Sequence, residues 1–366
     1  MLDLVAQHQS IRDEVLQAVT AVVERQGFIM GAEVAGLEAE VARLSQTRFA
    51  IGCASGTDAL LLPLRALGLK PGDEVITTPF SFFATAGAVH NAGGRPVFVD
   101  IEADSFNIDP AAIEAAITPR TRAIIPVHLF GQMAAMERIL PIAKRHNLAI
   151  IEDAAQSIGA RRKVDGAWRL SGELGTCGTL SFFPSKNLGG WGDGGMIVTQ
   201  DEPLAARLRT ERLHGGSTQY FHDDVGLNSR LDTLQAAVLL AKLPHLAAWS
   251  EARRRNAARY TAAWRRGPVQ PPVTDPANEH IYNQYTIRTP RRDELQAHLK
   301  AAGIGCAIYY PLPLHLQPCF AYLGYQAGSM PVSEQAAREV LSLPVYPELS
   351  ASQQDIVIDT VNRFFA

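Results

Sequence analysis

The chain has 366 residues, more than one small core requires, so two domains or one large domain with an appendage is expected. Hydrophobic residues make up 47% and charged residues 19%. No apolar run reaches the roughly 18 residues of a membrane span, and the N-terminus lacks a basic-then-apolar leader, which points to a cytoplasmic protein with no membrane partner. The formal net charge is −3, and no basic block is dense enough to hold nucleic acid.

In chain order, Ile11 to Arg25 is predicted as a helix packed across the body or against a partner subunit. From Arg48 to Val198, short β-branched runs alternate with helical patterns. The strand candidates are Phe49 to Ile51, Glu74 to Thr78, Arg95 to Val99, Ala123 to Val127, Ala149 to Ile151 and Gly195 to Val198. Strands that are apolar almost throughout, with helices between them, predict an α/β fold around a mostly parallel sheet buried on both faces. Helical periodicity runs from Leu204 to Trp264, and Gly267 to Pro272 interrupts it as a linker or irregular edge would. Beyond it come a strand candidate at Tyr282 to Arg288, a helix at Arg292 to Ala302, a strand at Cys306 to Tyr310 and a helix at Ser352 to Phe364. The expected division is a large α/β domain over residues 1–245 and a small α+β domain over 246–366. Cys53, Cys177, Cys306 and Cys319 are far apart in apolar surroundings; they read as reduced, buried thiols, with neither a zinc site nor a disulfide framework. Arg253 to Arg255 read as a solvated helix face.

The chain has six lysines, Lys70, Lys144, Lys163, Lys186, Lys242 and Lys300. Five fall in turns or helix-like stretches, where a solvated role is the default. Lys186 alone sits among apolar residues, small hydroxyls and a glycine run, in Ser181-Phe-Phe-Pro-Ser-Lys186-Asn-Leu-Gly-Gly-Trp-Gly-Asp-Gly-Gly195. Desolvation there lowers an amine's pKa, and glycines let a ligand approach the backbone. Asp153 ends an apolar strand, where ligands of open α/β sheets gather and where a buried acid needs a cationic partner. A reactive amine and a carboxylate that keeps a pyridine nitrogen protonated are the minimum for pyridoxal phosphate chemistry. Gln156, one helical turn on, is placed to donate to a ring phenolate, and Ser181 to reach a phosphate. Ser55-Gly56-Thr57 opens a helix and offers backbone N–H groups to an anion; alone it reads equally as an N-cap. Phe82 lies at the mouth of the sheet, where it could stack on a flat ring or simply pack in the core. A nicotinamide-dependent fold fails on its phosphate loop: the glycine run after Lys186 precedes a strand, whereas a dinucleotide fingerprint follows one.

Taken together, the chain resembles the DegT/DnrJ/StrS family of PLP-dependent nucleotide-sugar aminotransferases, of fold type I. The likeness is carried by Leu2-Asp3-Leu4, Gly27 to Val34, Ser55 to Leu60, Glu152 to Gln156, Ser181 to Lys186, Gly226 to Asp232 and Tyr310 to His315. It implies a seven-stranded-type sheet in the large domain. Lys186 would carry the covalent link to the cofactor, Asp153 would pair with its ring nitrogen, and Gln156 would approach its ring hydroxyl. Phe82 would stack on the ring, while Gly56, Thr57 and Ser181 would hold the phosphate. The resemblance further implies that Asn228 reaches the phosphate of the neighbouring subunit, so that the active form is a homodimer with shared sites; read by itself, Asn228 is a cap before a helix of Leu231 to Leu243.

Relatives with histidine at the lysine position perform dehydration, so Lys186 implies amino transfer. The implied cycle is ping-pong, from L-glutamate to a nucleotide-linked keto-sugar. Asn283 to Arg288 and Ala307 to Pro318 resemble the branch that aminates C-3. Arg230, Tyr309, Tyr310 and His315 are the expected sugar contacts. Arg230 matches an arginine that meets a uronate carboxylate, but it is widespread in the family; Tyr309, where the uronate enzymes carry an imidazole, favours a dTDP-3-keto-6-deoxyhexose. The alternatives are UDP-3-keto-N-acetylglucosaminuronic acid, a C-4 keto-sugar, and a non-catalytic regulatory protein on the same fold.

Overall fold

The computed structural model describes residues 2–218 and 220–366. Its centre is a seven-stranded sheet whose strands are β1 Phe49–Cys53, β2 Glu74–Thr77, β3 Arg95–Phe98, β4 Thr121–Ile125, β5 Ala149–Asp153, β6 Cys177–Ser181 and β7 Gly195–Thr199. They lie in the order β1-β7-β6-β5-β4-β2-β3. Only the pairings of β7, with β1 and β6, are antiparallel, so all strands but β7 run one way. The apolar runs of β2, β4 and β5 are covered on both faces, as parallel strands flanked by helices require. Glycine and polar residues hide β6 in the sequence, since Cys177-Gly-Thr-Leu-Ser181 has little β-branched character; it is nonetheless buried between β5 and β7. The hairpin Arg161–Val164 with Ala167–Leu170 was also outside the sequence reading.

Helix α1 spans Leu4–Arg25, a turn and more earlier than expected, because Asp3 caps it by accepting from Ala6 N–H at 2.9 Å. Its Ile11 and Val15 pack on Val238 and Trp249. Helices α2 Ala32–Leu44, α3 Gly56–Ala66 and α4 Ala84–Asn91 follow. The continuous helical periodicity expected from Leu204 onwards resolves into Glu202–Glu211, Thr233–Lys242 and Leu246–Ala263, with an irregular excursion between the first two. Among the described residues, no helix is long and apolar enough to cross a membrane.

A second, two-stranded sheet pairs Tyr285–Arg288 antiparallel with Val340–Leu343. Helices Arg292–Ala301 and Ala351–Phe365 cover it. The strand expected at Cys306 to Tyr310 reduces to a single bridge between Ala307 and Ser342; Val340–Leu343 takes the pairing position instead. Tyr260, Trp264, Tyr285, Ile287 and Leu341 form the core here, each burial contributing roughly 1.5–3 kcal/mol. Helix Leu246–Ala263 enters one core at Leu246 and the other at Ala257 and Tyr260. Gly267 to Pro272 is no free linker, since Val269 is buried and Gln270 exchanges backbone hydrogen bonds with Arg288.

Two surface assignments are corrected by burial. Arg253 is buried and donates to the carbonyls of Tyr282 and Val345, and burial lowers its pKa to about 10. Lys242 is also buried and donates to Gly189 O at 2.7 Å. In both cases long apolar stems let the helix face inward while the cation finds carbonyls. Of the cysteines, Cys53 and Cys177 are buried as expected, whereas Cys306 is half-buried and Cys319 exposed.

Candidate active site

The loops after β1, β2, β4, β5 and β6 converge at one edge of the sheet, the carboxyl end of its parallel strands, where open α/β sheets bind ligands. A cavity of about 400 Å³ opens there, lined among others by Gly56, Thr57, Phe82, Asp153, Gln156, Ser181, Lys186, Tyr309 and Tyr310. The sequence-derived cofactor set is thus brought together except for Asn228.

Asp153 is the last residue of β5 and is 5% exposed. Alternation along the strand sends Glu152 to the opposite side. There its carboxylate accepts from the N–H groups of Gly172, Leu174 and Gly175 and from His128 Nε2 at 2.8 Å. His128 Nδ1 accepts from Ala134 N–H, and its backbone N–H donates to Asp153 O. The strand end is therefore clamped from behind, with every buried polar atom of the Glu152 carboxylate partnered. Asp153 itself accepts from Thr85 Oγ1 at 2.8 Å and from Ala155 N–H at 3.3 Å. Burial pushes its carboxyl above the usual range, opposed by those two bonds and by the charge of Lys186.

Lys186 lies five residues beyond β6, in a turn closed by its own N–H to Phe183 O. The residue is half-buried, yet its amine is sufficiently enclosed that desolvation lowers the pKa to about 8, against an opposing pull from Asp153. A lowered pKa leaves more free base at neutral and mildly alkaline pH, the form a nucleophile or proton acceptor needs. The glycine run behind it is pinned by the helix Thr233–Lys242: Lys242 holds Gly189 O and Gln235 accepts from Trp191 N–H.

At the other end of the cavity, Ser55 caps α3 by accepting from Asp58 N–H, leaving Gly56 and Thr57 at the helix N-terminus. A Cβ on Gly56 would lie 2.6 Å from Ser181 Cβ and 2.8 Å from its Oγ. Glycine therefore keeps open a cradle between the helix N-terminus and Ser181, of the kind that takes an anion. Phe82 is 58% exposed, with its ring 6.5 Å from that of Tyr310. Pyridoxal phosphate fits this donor set: a cradle for its phosphate, a buried carboxylate for its ring nitrogen, an exposed aromatic face and one amine.

Gln156 is not one helical turn from Asp153. The chain turns sharply after β5, and the Gln156 amide accepts from Phe130 N–H at 2.7 Å and donates to Tyr310 Oη at 3.1 Å. Tyr310 is thereby tied to the cavity from the small C-terminal unit, and burial pushes its phenol pKa up. His315, expected to contact sugar or nucleotide, does not line the cavity. It is 1% exposed and pairs through Nε2 with Glu334 at 3.1 Å, because the preceding Leu314 N–H is drawn to Pro79 O and turns the ring inward. Asn228 is exposed and lines no part of this cavity. Arg230 lines a separate open cleft with Leu213, His214, Tyr220 and Asp224. Ser229 between them is buried and fixed, donating to Asp58 and accepting from Ala54 N–H. The reading of the sequence missed Thr85 and Ser81; their signal was the four-residue spacing of two hydroxyls around Phe82.

Residues 9–362 match the DegT/DnrJ/EryC1/StrS aminotransferase family. The chain is 53% identical to a pleiotropic regulatory protein of Geobacillus stearothermophilus, covering 100% of this chain and 98% of the relative. It is 47% identical to the UDP-N-acetyl-3-dehydro-alpha-D-glucosamine 3-aminotransferase of Acidithiobacillus ferrooxidans, covering 99% and 97%. Among solved structures, S. venezuelae DesV in complex with a ketimine intermediate superposes with a TM-score of 0.95 at 44% identity, over 99% of this chain and 97% of that one. An amine and a buried carboxylate in one cavity beside a helix-terminal anion cradle, on a chain matched from end to end, make this protein a member of the DegT/DnrJ/EryC1/StrS aminotransferase family.

Proposed function

We propose that this protein is a pyridoxal-phosphate-dependent aminotransferase of the cytoplasm that moves an amino group from L-glutamate to C-3 of a nucleotide-linked 3-keto sugar. The observation that carries the reading is the shared cavity of Lys186 and Asp153, an amine with its pKa lowered to about 8 and a nine-tenths-buried acid. When bound, pyridoxal phosphate supplies the electron sink for a carbanion next to nitrogen. The protein's own groups do the rest. The Lys186 amine would hold the cofactor and, once released, would take up and return the donor's proton at its Nζ. Asp153 holds the ring nitrogen's proton by its charge. The α3 N-terminus, Thr57 and Ser181 would hold the phosphate, Phe82 would cover the ring face, and Gln156 would meet the ring oxygen.

The sugar reading favours a C-6 without charge, a dTDP-3-keto-6-deoxyhexose. Within one chain Lys186 is the one cation lining the cavity among the described residues, and the neutral Tyr309 stands in its wall where the uronate enzymes carry an imidazole; Arg230, which a second subunit would bring, is widespread in the family and favours neither sugar. The 47% identical relative supports a second reading with the same property, a UDP-linked 3-dehydro-N-acetylglucosamine. Incubating the loaded enzyme with purified dTDP- and UDP-amino-sugars and following half-transamination by absorbance tests both. Conversion by a 3-amino-6-deoxy sugar is expected, and conversion only by an aminouronate would overturn the reading. The 53% relative bears a regulator's name, but the intact lysine, acid and cradle support turnover here.

Asn228 and Arg230 complete the site of a second subunit in this reading. Ile29, Tyr220, Phe221 and Val225 are large apolar residues left exposed on this chain, as a homodimer would bury. A mixture of Lys186→Arg and Asn228→Asp subunits should therefore regain up to about half of wild-type activity per heterodimer, since one site carries both defects and the other neither. Each parent protein alone should be poor. No recovery after subunit exchange verified by mass spectrometry would mean that each site is built from a single chain.

A further inference from the structure

Thr85 is fully buried in the first turn of α4, and its Oγ1 lies 2.8 Å from Asp153 Oδ2. The same oxygen lies 2.9 Å from Ser81 Oγ, whose residue is 3% exposed. A threonine hydroxyl has one hydrogen, and an ionised carboxylate only accepts. The Thr85 hydrogen therefore goes to Asp153, and the Ser81 hydrogen fills the second bond. The result is a directed chain, Ser81 to Thr85 to Asp153, built on the loop and helix turn that also present Phe82.

We propose that Thr85, oriented by Ser81, is a positioning residue that holds Asp153 ionised and fixes which carboxylate oxygen is left to meet a protonated ring nitrogen. A hydrogen bond to the charged form opposes the cost of burying it, and bonds in series strengthen one another. The other charged or titratable groups around Asp153 are Lys186 from beyond β6, His128 from beyond β4 and Tyr310 from the small C-terminal unit, with Asp193 and Tyr309 lining the same cavity. Glu152 points to the far side and is occupied by His128 and three backbone N–H groups. Removing either hydroxyl alters no charge. The aminotransferase reading is needed here only for what Asp153 serves, because the state of the carboxylate can be read without cofactor.

The test is infrared titration of cofactor-free protein carrying ¹³C-labelled aspartate, with the Asp153 band assigned by subtracting Asp153→Asn. Wild type and Thr85→Ser should titrate together, and Thr85→Val, of nearly the same shape, should protonate about one pH unit higher or more. Ser81→Ala should shift in the same direction by less. Coincident titration of Thr85→Val and wild type would overturn the proposal. Should near-ultraviolet circular dichroism show that Thr85→Val does not fold, Ser81→Ala decides it: an unchanged midpoint there overturns the proposal, and an upward one supports it. These outcomes stand whether or not the protein proves to transaminate a sugar.

Discussion

Lys186→Arg should leave a folded protein that retains its positive charge yet turns over at less than about 10⁻⁴ of the wild-type rate. Proton transfer by a positioned base is alone worth about 10²–10⁴-fold, and the guanidinium loses covalent activation as well, since it stays protonated at any accessible pH. The cavity supplies no substitute: Lys186 is its only lining amine among the described residues, and the other buried lysine, Lys242, is committed to Gly189 O. Borohydride reduction of the loaded wild-type protein followed by peptide mapping should place the cofactor on the peptide containing Lys186. Finding it on another lysine, or normal turnover in the arginine variant, would remove the central assignment.

Asp153→Asn should bind the cofactor and lose turnover by about 10²–10³-fold, the usual cost of removing one group that stabilises developing charge in an enclosed site. The amide keeps the shape of the carboxylate and can still meet Thr85 Oγ1 and Ala155 N–H, while the clamp on Glu152 behind β5 is untouched. What it lacks is the charge that holds a proton on the ring nitrogen. Stopped-flow absorbance with L-glutamate separates binding from chemistry. Half-transamination near the wild-type rate would show that Asp153 is a structural acid. Thermal melts of both variants should stay close to wild type, because neither substitution opens a cavity in the core.

Most of the site was legible in the chain itself. Asp153 after an apolar run, Lys186 among small residues and a glycine run, and Ser55-Gly56-Thr57 at a helix start are local signals, because a strand end, a turn and a helix N-terminus are each set by a few neighbouring residues. The large sheet was legible for the same reason, from the apolar runs of β2, β4 and β5. Strand β6 was not, since its glycine and polar residues become strand only when β5 and β7 supply partners on both sides.

Inward or outward facing, by contrast, was decided by tertiary structure. Lys242 and Arg253 carry the sequence signature of solvated cations, yet each faces inward because carbonyls of a distant segment receive it. His315 sits in a motif that resembles a sugar contact, and the pairing of Leu314 with Pro79 and of His315 with Glu334 turns it away. Thr85 and Ser81 became visible only when β2 and β5, separated by the sheet's crossover connections, brought a helix turn to a strand end 68 residues away in the chain. Sequence determines which chemical groups are available and which local backbone shapes hold them. Which group faces which depends on pairings between remote segments, whose free energies are set by burial and by the partner each polar atom finds, and no local window contains those partners.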